Sequence, residues 1–232
     1  MPDDVNTASR ADLAGMIDHT ILKADATRAD VARHCDEALA HGFASVCING
    51  VHAAFVADRL RGSRVKTCAV LGFPLGASGA GAKAAEAAWL IRQGADELDM
   101  VLDIGAVVEG EFERARADIA AVRDASAGRV LKVILETCLL DEARIVAACR
   151  IAAEAGADFV KTSTGFSSGG ASVETVALMR RTVGPTLGVK ASGGIRTAES
   201  ARAMVAAGAT RIGASASVAI VSAGGPTAPG GY

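Results

Sequence analysis

Three lysines stand in otherwise apolar, β-prone runs: Lys132 in VLKVILE, Lys161 in DFVKTST and Lys190 in LGVKAS. Two further runs carry acids, Asp18 in MIDHTIL and Asp99 with Glu97 and Asp103 in ELDMVLDI. A single strand lysine is ordinarily a stem that snorkels to solvent, or half of a salt bridge. Three of them beside acids resist that reading, because lysine is almost never fully buried unless paired. Two ammonium groups in one small interior repel each other. An amine nucleophile must be neutral, whereas a free lysine, with a pKa of ~10.4, is almost wholly protonated at neutral pH. Lowering that value by ~3 units takes roughly 4 kcal/mol of differential destabilisation of the ammonium form. A second cation within ~4–6 Å, together with desolvation, supplies a shift of that order. Lys161 and Lys190 therefore point to imine chemistry: one amine attacks a carbonyl and the other keeps it unprotonated. Residue types alone leave open which is which.

Small residues supply a second chemical signal. SGGIR (Ser192–Arg196) follows one strand-like run, and RIGAS (Arg211–Ser215) ends another. Backbone N–H groups bared by glycines at the last two loops of an α/β barrel form its usual phosphate site. The plainer alternative is that Gly193, Gly194 and Gly213 only permit tight turns. Taken with the lysines, the loops suggest a small phosphorylated aldehyde or sugar as substrate.

The elements that must position these groups follow from a recurring phrase. HGFASVCIN, QGADELDMV, AGADFVKTS and AGATRIGAS each place a glycine (Gly42, Gly94, Gly156, Gly208) after an alanine-rich amphipathic run and before a β-prone one. Glycine there takes the left-handed conformation that closes a helix. Phe112, Ala115, Ile119 and Val122 recur on one helical face. Asp141 and Thr197 stand where N-caps belong. Strand candidates are GMIDHTIL, FASVCING, VKTCAVLG, ELDMVLDI, VLKVILET, DFVKTST, LGVKASG and TRIGAS. Regular β–α alternation forces parallel pairing. Eight units in this length predict an α/β fold, a closed (β/α)8 TIM barrel, as a single domain over 1–222 with a flexible tail over 223–232. An open doubly wound sheet is the alternative, but no dinucleotide GxGxxG follows the first strand.

Composition narrows the class further. The chain has 232 residues, 50% hydrophobic, with a formal net charge of −2, which excludes disorder for most of its length. Lys+Arg is 24 against Asp+Glu 26, and aromatics are 3%, so no nucleic-acid surface is expected. No run is long and apolar enough for a membrane span, and the polar start lacks a signal-peptide core, so no membrane partner and a cytoplasmic location are expected. Cys35, Cys47, Cys68, Cys138 and Cys149 are odd in number and never form CxxC, which suggests reduced thiols. The four histidines, His19, His34, His41 and His52, lack metal-ligand spacing, and neither metal nor cofactor is expected. By base rate an isologous homodimer is the default assembly.

IDHT, GADELDMV, LKVILET, FVKTSTGF, VKASGGIR and RIGAS, in this order, resemble the deoxyribose-phosphate aldolases, metal-free class I aldolases, from about Leu13 to Ser217. The resemblance implies reversible cleavage of 2-deoxy-D-ribose 5-phosphate to acetaldehyde and D-glyceraldehyde 3-phosphate, a catabolic step. Lys161 of KTSTG resembles the Schiff-base lysine, Lys190 of VKASGG the second lysine that tunes it, and Asp99 the acid of a proton relay. Asp18 and Thr20 match a polar pair that contacts the sugar. Thr164, Gly165, Gly193, Gly194, Gly213 and Ser215 match the substrate and phosphate loops. Some members of the family end in a tyrosine that closes on the site, so the resemblance makes Tyr232, the last residue, a candidate for proton transfer; the plain alternative is a frayed terminus.

Some positions depart from the family pattern. Gly50 stands where proline is usual, which would loosen the second loop. Asp103 replaces an asparagine and would add negative charge near Asp99. Ala216 replaces a serine and would remove one hydroxyl from the phosphate site. Elsewhere, Glu136 is expected to pair with Lys132 in the interior, Lys132 and Asn49 are candidate substrate contacts, and Cys47 is read as a buried thiol. Two alternatives stay open at this point: another lysine-dependent aldolase, and a non-catalytic barrel that senses a sugar phosphate.

Overall fold

Gly42 closes the first long helix, α1 (Arg28–His41), at φ 69°, and its N–H reaches Ala38 O. Gly94, Gly156 and Gly208 likewise carry positive φ, as the recurring phrase requires. Each stop hands the chain to a short strand. The computed structural model describes residues 13–126 and 128–222. The eight strands are β1 (Ile17–Ile21), β2 (Ser45–Ile48), β3 (Lys66–Leu71), β4 (Glu97–Val101), β5 (Val130–Ile134), β6 (Phe159–Lys161), β7 (Gly188–Ser192) and β8 (Arg211–Ala214). Every one falls inside one of the eight expected runs. All neighbours are parallel, and β1 bonds to both β2 and β8, so the sheet is closed and the open-sheet alternative fails.

The remaining helices are α2 (Ala53–Arg59), α3 (Ala80–Arg92), α4 (Ile104–Glu109), α5 (Phe112–Ala125), α6 (Glu142–Glu154), α7 (Val173–Val183), α8 (Ala198–Ala206) and α9 (Ser217–Ser222). Asp141 caps α6 by accepting Arg144 N–H, and Thr197 caps α8 in a capping box with Ser200. On α5, Ala115, Ile119 and Val122 are buried as expected, but Phe112 is 40% exposed. Phe112 opens the helix at its edge, and Asp118 takes an inner position instead, where it accepts the buried Lys83 ammonium at 2.7 Å.

Strand alternation sorts the side chains into two layers. Val46, Leu98, Met100, Leu131, Val133, Val160, Val189 and Ile212 point outward into the apolar layer beneath the helices. The inward positions differ from those of an apolar barrel. On β2 and β3 they form a small cluster of Cys47, Cys68 and Val70 with Leu22. Each of the other strands carries at least one charged inward residue, and these groups build the site.

Among the described residues no helix is long and apolar enough to cross a membrane. The expected tail 223–232, with Tyr232, lies outside the described residues.

Candidate active site

The inward residues of β4 to β8 and β1 meet in a buried interior. Lys132, Asp99, Asp18 and Lys190 are fully buried, and Lys161 is 3% exposed. Lys161 Nζ donates to Asp99 Oδ2 at 2.8 Å, and Lys190 Nζ donates to the same oxygen at 2.7 Å. The two amines therefore share one acceptor atom. Lys132 Nζ takes the other oxygen, Oδ1, at 2.8 Å, where Cys68 Sγ also donates at 3.1 Å. Lys190 reaches Asp18 as a second carboxylate. Asp18 Oδ1 further accepts Ser45 Oγ and Arg211 Nη1, each at 2.7 Å.

Electrostatics follow from this pairing. Burial opposes ionisation of Asp99, yet Lys132, Lys161 and Lys190 hold its carboxyl well below the usual carboxylate range. Asp18 is lowered in the same way, burial being outweighed by Lys190, Lys132 and Arg211. Burial would depress Lys190, but Asp18 and Asp99 raise it above a free lysine. The repulsion expected between Lys190 and Lys161 is thus offset, because Lys190 is paired with the carboxylates of Asp18 and Asp99.

A cavity of about 460 Å³ opens above β1 and β6 to β8, within the range of small-molecule sites. Lys161 is the lysine of this cluster that lines it; Thr20, Thr164, Gly165, Gly193, Gly194, Gly213 and Ser215 line it as well. Gly193 and Gly194 have φ of 86° and 80°, so their loop takes a path that L side chains avoid. Gly213 serves by close approach: a Cβ there would lie 3.0 Å from Lys190 Cε and 2.9 Å from Ser192 Cβ.

Three candidate contacts sit elsewhere than on the cavity wall. Asp18 and Lys132 are sealed beneath it with 0% exposure, and Asn49 spends its Nδ2 on Leu22 O at 3.1 Å. Glu136 does not pair with Lys132. It adopts φ 53° and accepts the Thr164 N–H and hydroxyl, while Lys132 Nζ pairs with Glu97 at 2.6 Å. Glu136 thereby positions a wall residue from behind.

The departures from the family pattern also find places. Gly50 is not a loosened point, since a Cβ there would meet Leu90 Cδ2 at 2.9 Å; the turn packs tightly on α3. Asp103 caps α4 through Ala106 N at 3.0 Å and pairs with Arg114, which occupies its charge. Cys47 is a fully buried thiol, as read.

Other wall residues were not singled out from sequence. Lys23, Arg33 and Arg196 bring cationic groups to the cavity, and His34 lines it from α1. Lys23 lies in the β1–α1 connection and Arg33 on α1, and no pattern in the chain marks either as a wall residue. Arg196 ends SGGIR, and its residue type alone points to no role there. Folding also gathers ligand-type groups that linear spacing did not show. His19, His34 and Glu37 offer atoms within 4.8 Å of one another. The two rings are stacked, 4.3 Å apart at 18°, so their in-plane lone pairs run side by side and do not converge on one ion.

Residues 13–224 match the family model described as DeoC/LacD family aldolase. The chain is 58% identical over 225 residues to a deoxyribose-phosphate aldolase of Rhodospirillum rubrum, covering 96% of this chain and 94% of that one. It is 56% identical over 216 residues to a deoxyribose-phosphate aldolase of Brevibacillus brevis, covering 93% and 97%. Among solved structures, the tetrameric deoxyribose phosphate aldolase from Aeropyrum pernix superposes with a TM-score of 0.87 at 36% identity, covering 94% of this chain and 93% of that one.

Proposed function

This chain belongs to the DeoC/LacD family of aldolases, and from that premise we propose how its interior carries the reaction. The enzyme reversibly cleaves 2-deoxy-D-ribose 5-phosphate to acetaldehyde and D-glyceraldehyde 3-phosphate, in deoxyribose catabolism, with Lys161 as the nucleophile. One observation carries the assignment of roles: Lys161 and Lys190 share Asp99 Oδ2, and of the two only Lys161 lines the cavity.

The neutral Lys161 amine adds to C1 of the open-chain sugar, and loss of water leaves a protonated imine. The C2–C3 bond pair moves into that cation as an enamine while the C3 hydroxyl gives up its proton, releasing D-glyceraldehyde 3-phosphate. C2 then takes a proton, and water returns acetaldehyde and the free amine. Asp99 bridges the two nitrogens, so a proton passes between Lys161 and Lys190 across a single oxygen. Asp18 and Lys132 hold Asp99 and Lys190 from behind. Thr20 and Thr164 present hydroxyls to the sugar. Gly165, Gly193, Gly194, Gly213 and Ser215 form the phosphate end, with Lys23 and Arg196 as cations beside it. Tyr232 keeps its place as a candidate proton-transfer group: unchanged proton exchange into acetaldehyde in a chain lacking it would remove that role.

Borohydride added with acetaldehyde should reduce the imine and add mass to the peptide containing Lys161. Modification confined to another lysine, or none, refutes the assignment. Lys161→Ala should abolish turnover and EDTA should leave it unaffected. A cytoplasmic location and a homodimer complete the proposal; sedimentation at twice the chain mass would support the latter, and any other mass would replace it.

A further inference from the structure

Beyond the atoms at the cavity, the interior charges close on themselves. Asp99 accepts Lys132, Lys132 pairs with Glu97 at 2.6 Å, and Glu97 accepts Arg211 Nη1 at 3.1 Å. Arg211 also pairs with Asp18 at 2.7 Å, Asp18 accepts Lys190, and Lys190 returns to Asp99 at 2.7 Å. Three carboxylates alternate with three cations around a ring whose formal charge is zero. Lys161 is the seventh charged group, attached to the ring only through Asp99. A protonated Lys161 gives the cluster one unmatched positive charge, and a neutral Lys161 leaves it balanced.

We propose that Glu97 and Arg211, on the side of the ring away from the cavity, are positioning residues that set the protonation of Lys161 by holding the ring neutral. Both stand at the first residue of their strands, β4 and β8, the end of the barrel opposite the active face. Conserving stability is the ordinary task of residues there, so the two roles must be separated by experiment. Neither touches the cavity. The pairing is well placed to transmit charge: ring members other than Arg211 are at most 6% exposed, and Arg211 is 16% exposed, so water screens the ring little. Burial opposes the ionised form of Lys132 and Arg211, yet their carboxylate partners raise both, which keeps the ring charged. Beneath Lys161 the thiols Cys47 and Cys68 turn inward from β2 and β3, and across the cavity it shares a wall with Lys23, Asp25, Asp30, Arg33, His34 and Arg196. From the loop after β5, Glu136 reaches the β6 side through Thr164.

The inference rests on Lys161 being the nucleophile, and its signature is a pair of opposite shifts. The acid limb of the pH profile of kcat/KM, measured on the intact enzyme, reports loss of the inhibitory proton. Arg211→Met leaves the ring at −1 and should move that limb to higher pH, by on the order of one unit. Glu97→Gln leaves the ring at +1 and should move it to lower pH by a similar amount. Glu97→Gln with Arg211→Met restores zero and should return the limb close to its original position. Should Arg211→Met fail to fold, Glu97→Gln still carries the sign, and Arg211→Lys, which keeps the charge, should hold the limb in place. Shifts in the same direction, or a fall in kcat with a stationary limb, overturn the proposal and leave a structural floor. Borohydride trapping in the wild type separates the two readings. An adduct away from Lys161 defeats the assignment of the nucleophile, whereas an adduct on Lys161 with immobile limbs defeats only the ring.

Discussion

Asp99→Asn removes one charge with almost no change in shape, at the most heavily shared acceptor of the interior. The wild-type carboxylate takes four donors, Cys68 and Lys132 on Oδ1 and Lys161 and Lys190 on Oδ2. An amide has one oxygen, so in either orientation two of those donors face an NH2 group and lose their acceptor. Each hydrogen bond to a charged group is worth about 1.5–3 kcal/mol, and breaking a buried ion pair from one side costs about 3–5 kcal/mol. A loss of roughly 3–6 kcal/mol is comparable with the lower part of the ~5–15 kcal/mol total of a typical domain, so the variant should fold with a Tm lower by roughly 6–24 °C. Turnover should fall further than stability accounts for. Without the bridging oxygen the proton path between Lys161 and Lys190 is cut, and a positioned proton-transfer group contributes roughly 10²–10⁴-fold. Aldehyde release measured well below the new Tm, together with thermal unfolding, reads both effects. A kcat within about threefold of wild type in the folded variant would refute the relay, because that is far below the contribution such a group makes.

Gly213→Ala should lower kcat/KM at least about tenfold, since its Cβ would displace Lys190 Cε from 3.0 Å and shift the shared oxygen geometry; unchanged kinetics would show that the lysine has room. Lys83→Met strands the buried Asp118 carboxylate and should destabilise by about 3–5 kcal/mol in urea titrations, with kcat at low temperature unaltered. A stability unchanged within error would deny that the pair matters. His19 titrates in the less usual sense. Burial pushes it down to about 4, only partly opposed by the bond to Glu37, and its Nδ1 meets no hydrogen-bond partner among the described residues. The unfolded chain therefore binds the extra proton first, and stability is full above about pH 6.5 and declines towards about pH 4, by about 3 kcal/mol. His19→Leu should flatten that slope in unfolding measured at about pH 7 and about pH 4.5; an unaltered slope would place the effect elsewhere.

Much of the barrel was legible in the chain. The helix–Gly–strand phrase, the caps at Asp141 and Thr197 and the β-prone runs are local signals, written in residues a few positions apart. Lys132, Lys161 and Lys190 stood out because an ammonium in an apolar strand contradicts its surroundings. Glu97 and Arg211 gave weaker signals. Each lies two residues before a candidate, Asp99 and Gly213, and so shares its inward face. At strand starts, however, a charge reads as solvated. The surroundings of Asn49, Glu136 and Lys83 were not legible for a common reason: their partners, Leu22 O, Thr164 and Asp118, are set by how loops and helices cross.

By itself, the order of residues determined the number of strands, their parallel sense and the presence of amines inside the barrel, because periodicity and backbone preference act locally. Closure of the sheet decided the rest. It brings Asp18 to Arg211 across 193 positions and to Lys190 across 172. Which amine meets the cavity, which oxygen two amines share, and that the charges join in a balanced ring are properties of that long-range registry. Charge interactions depend on distance in space, and no local pattern records it.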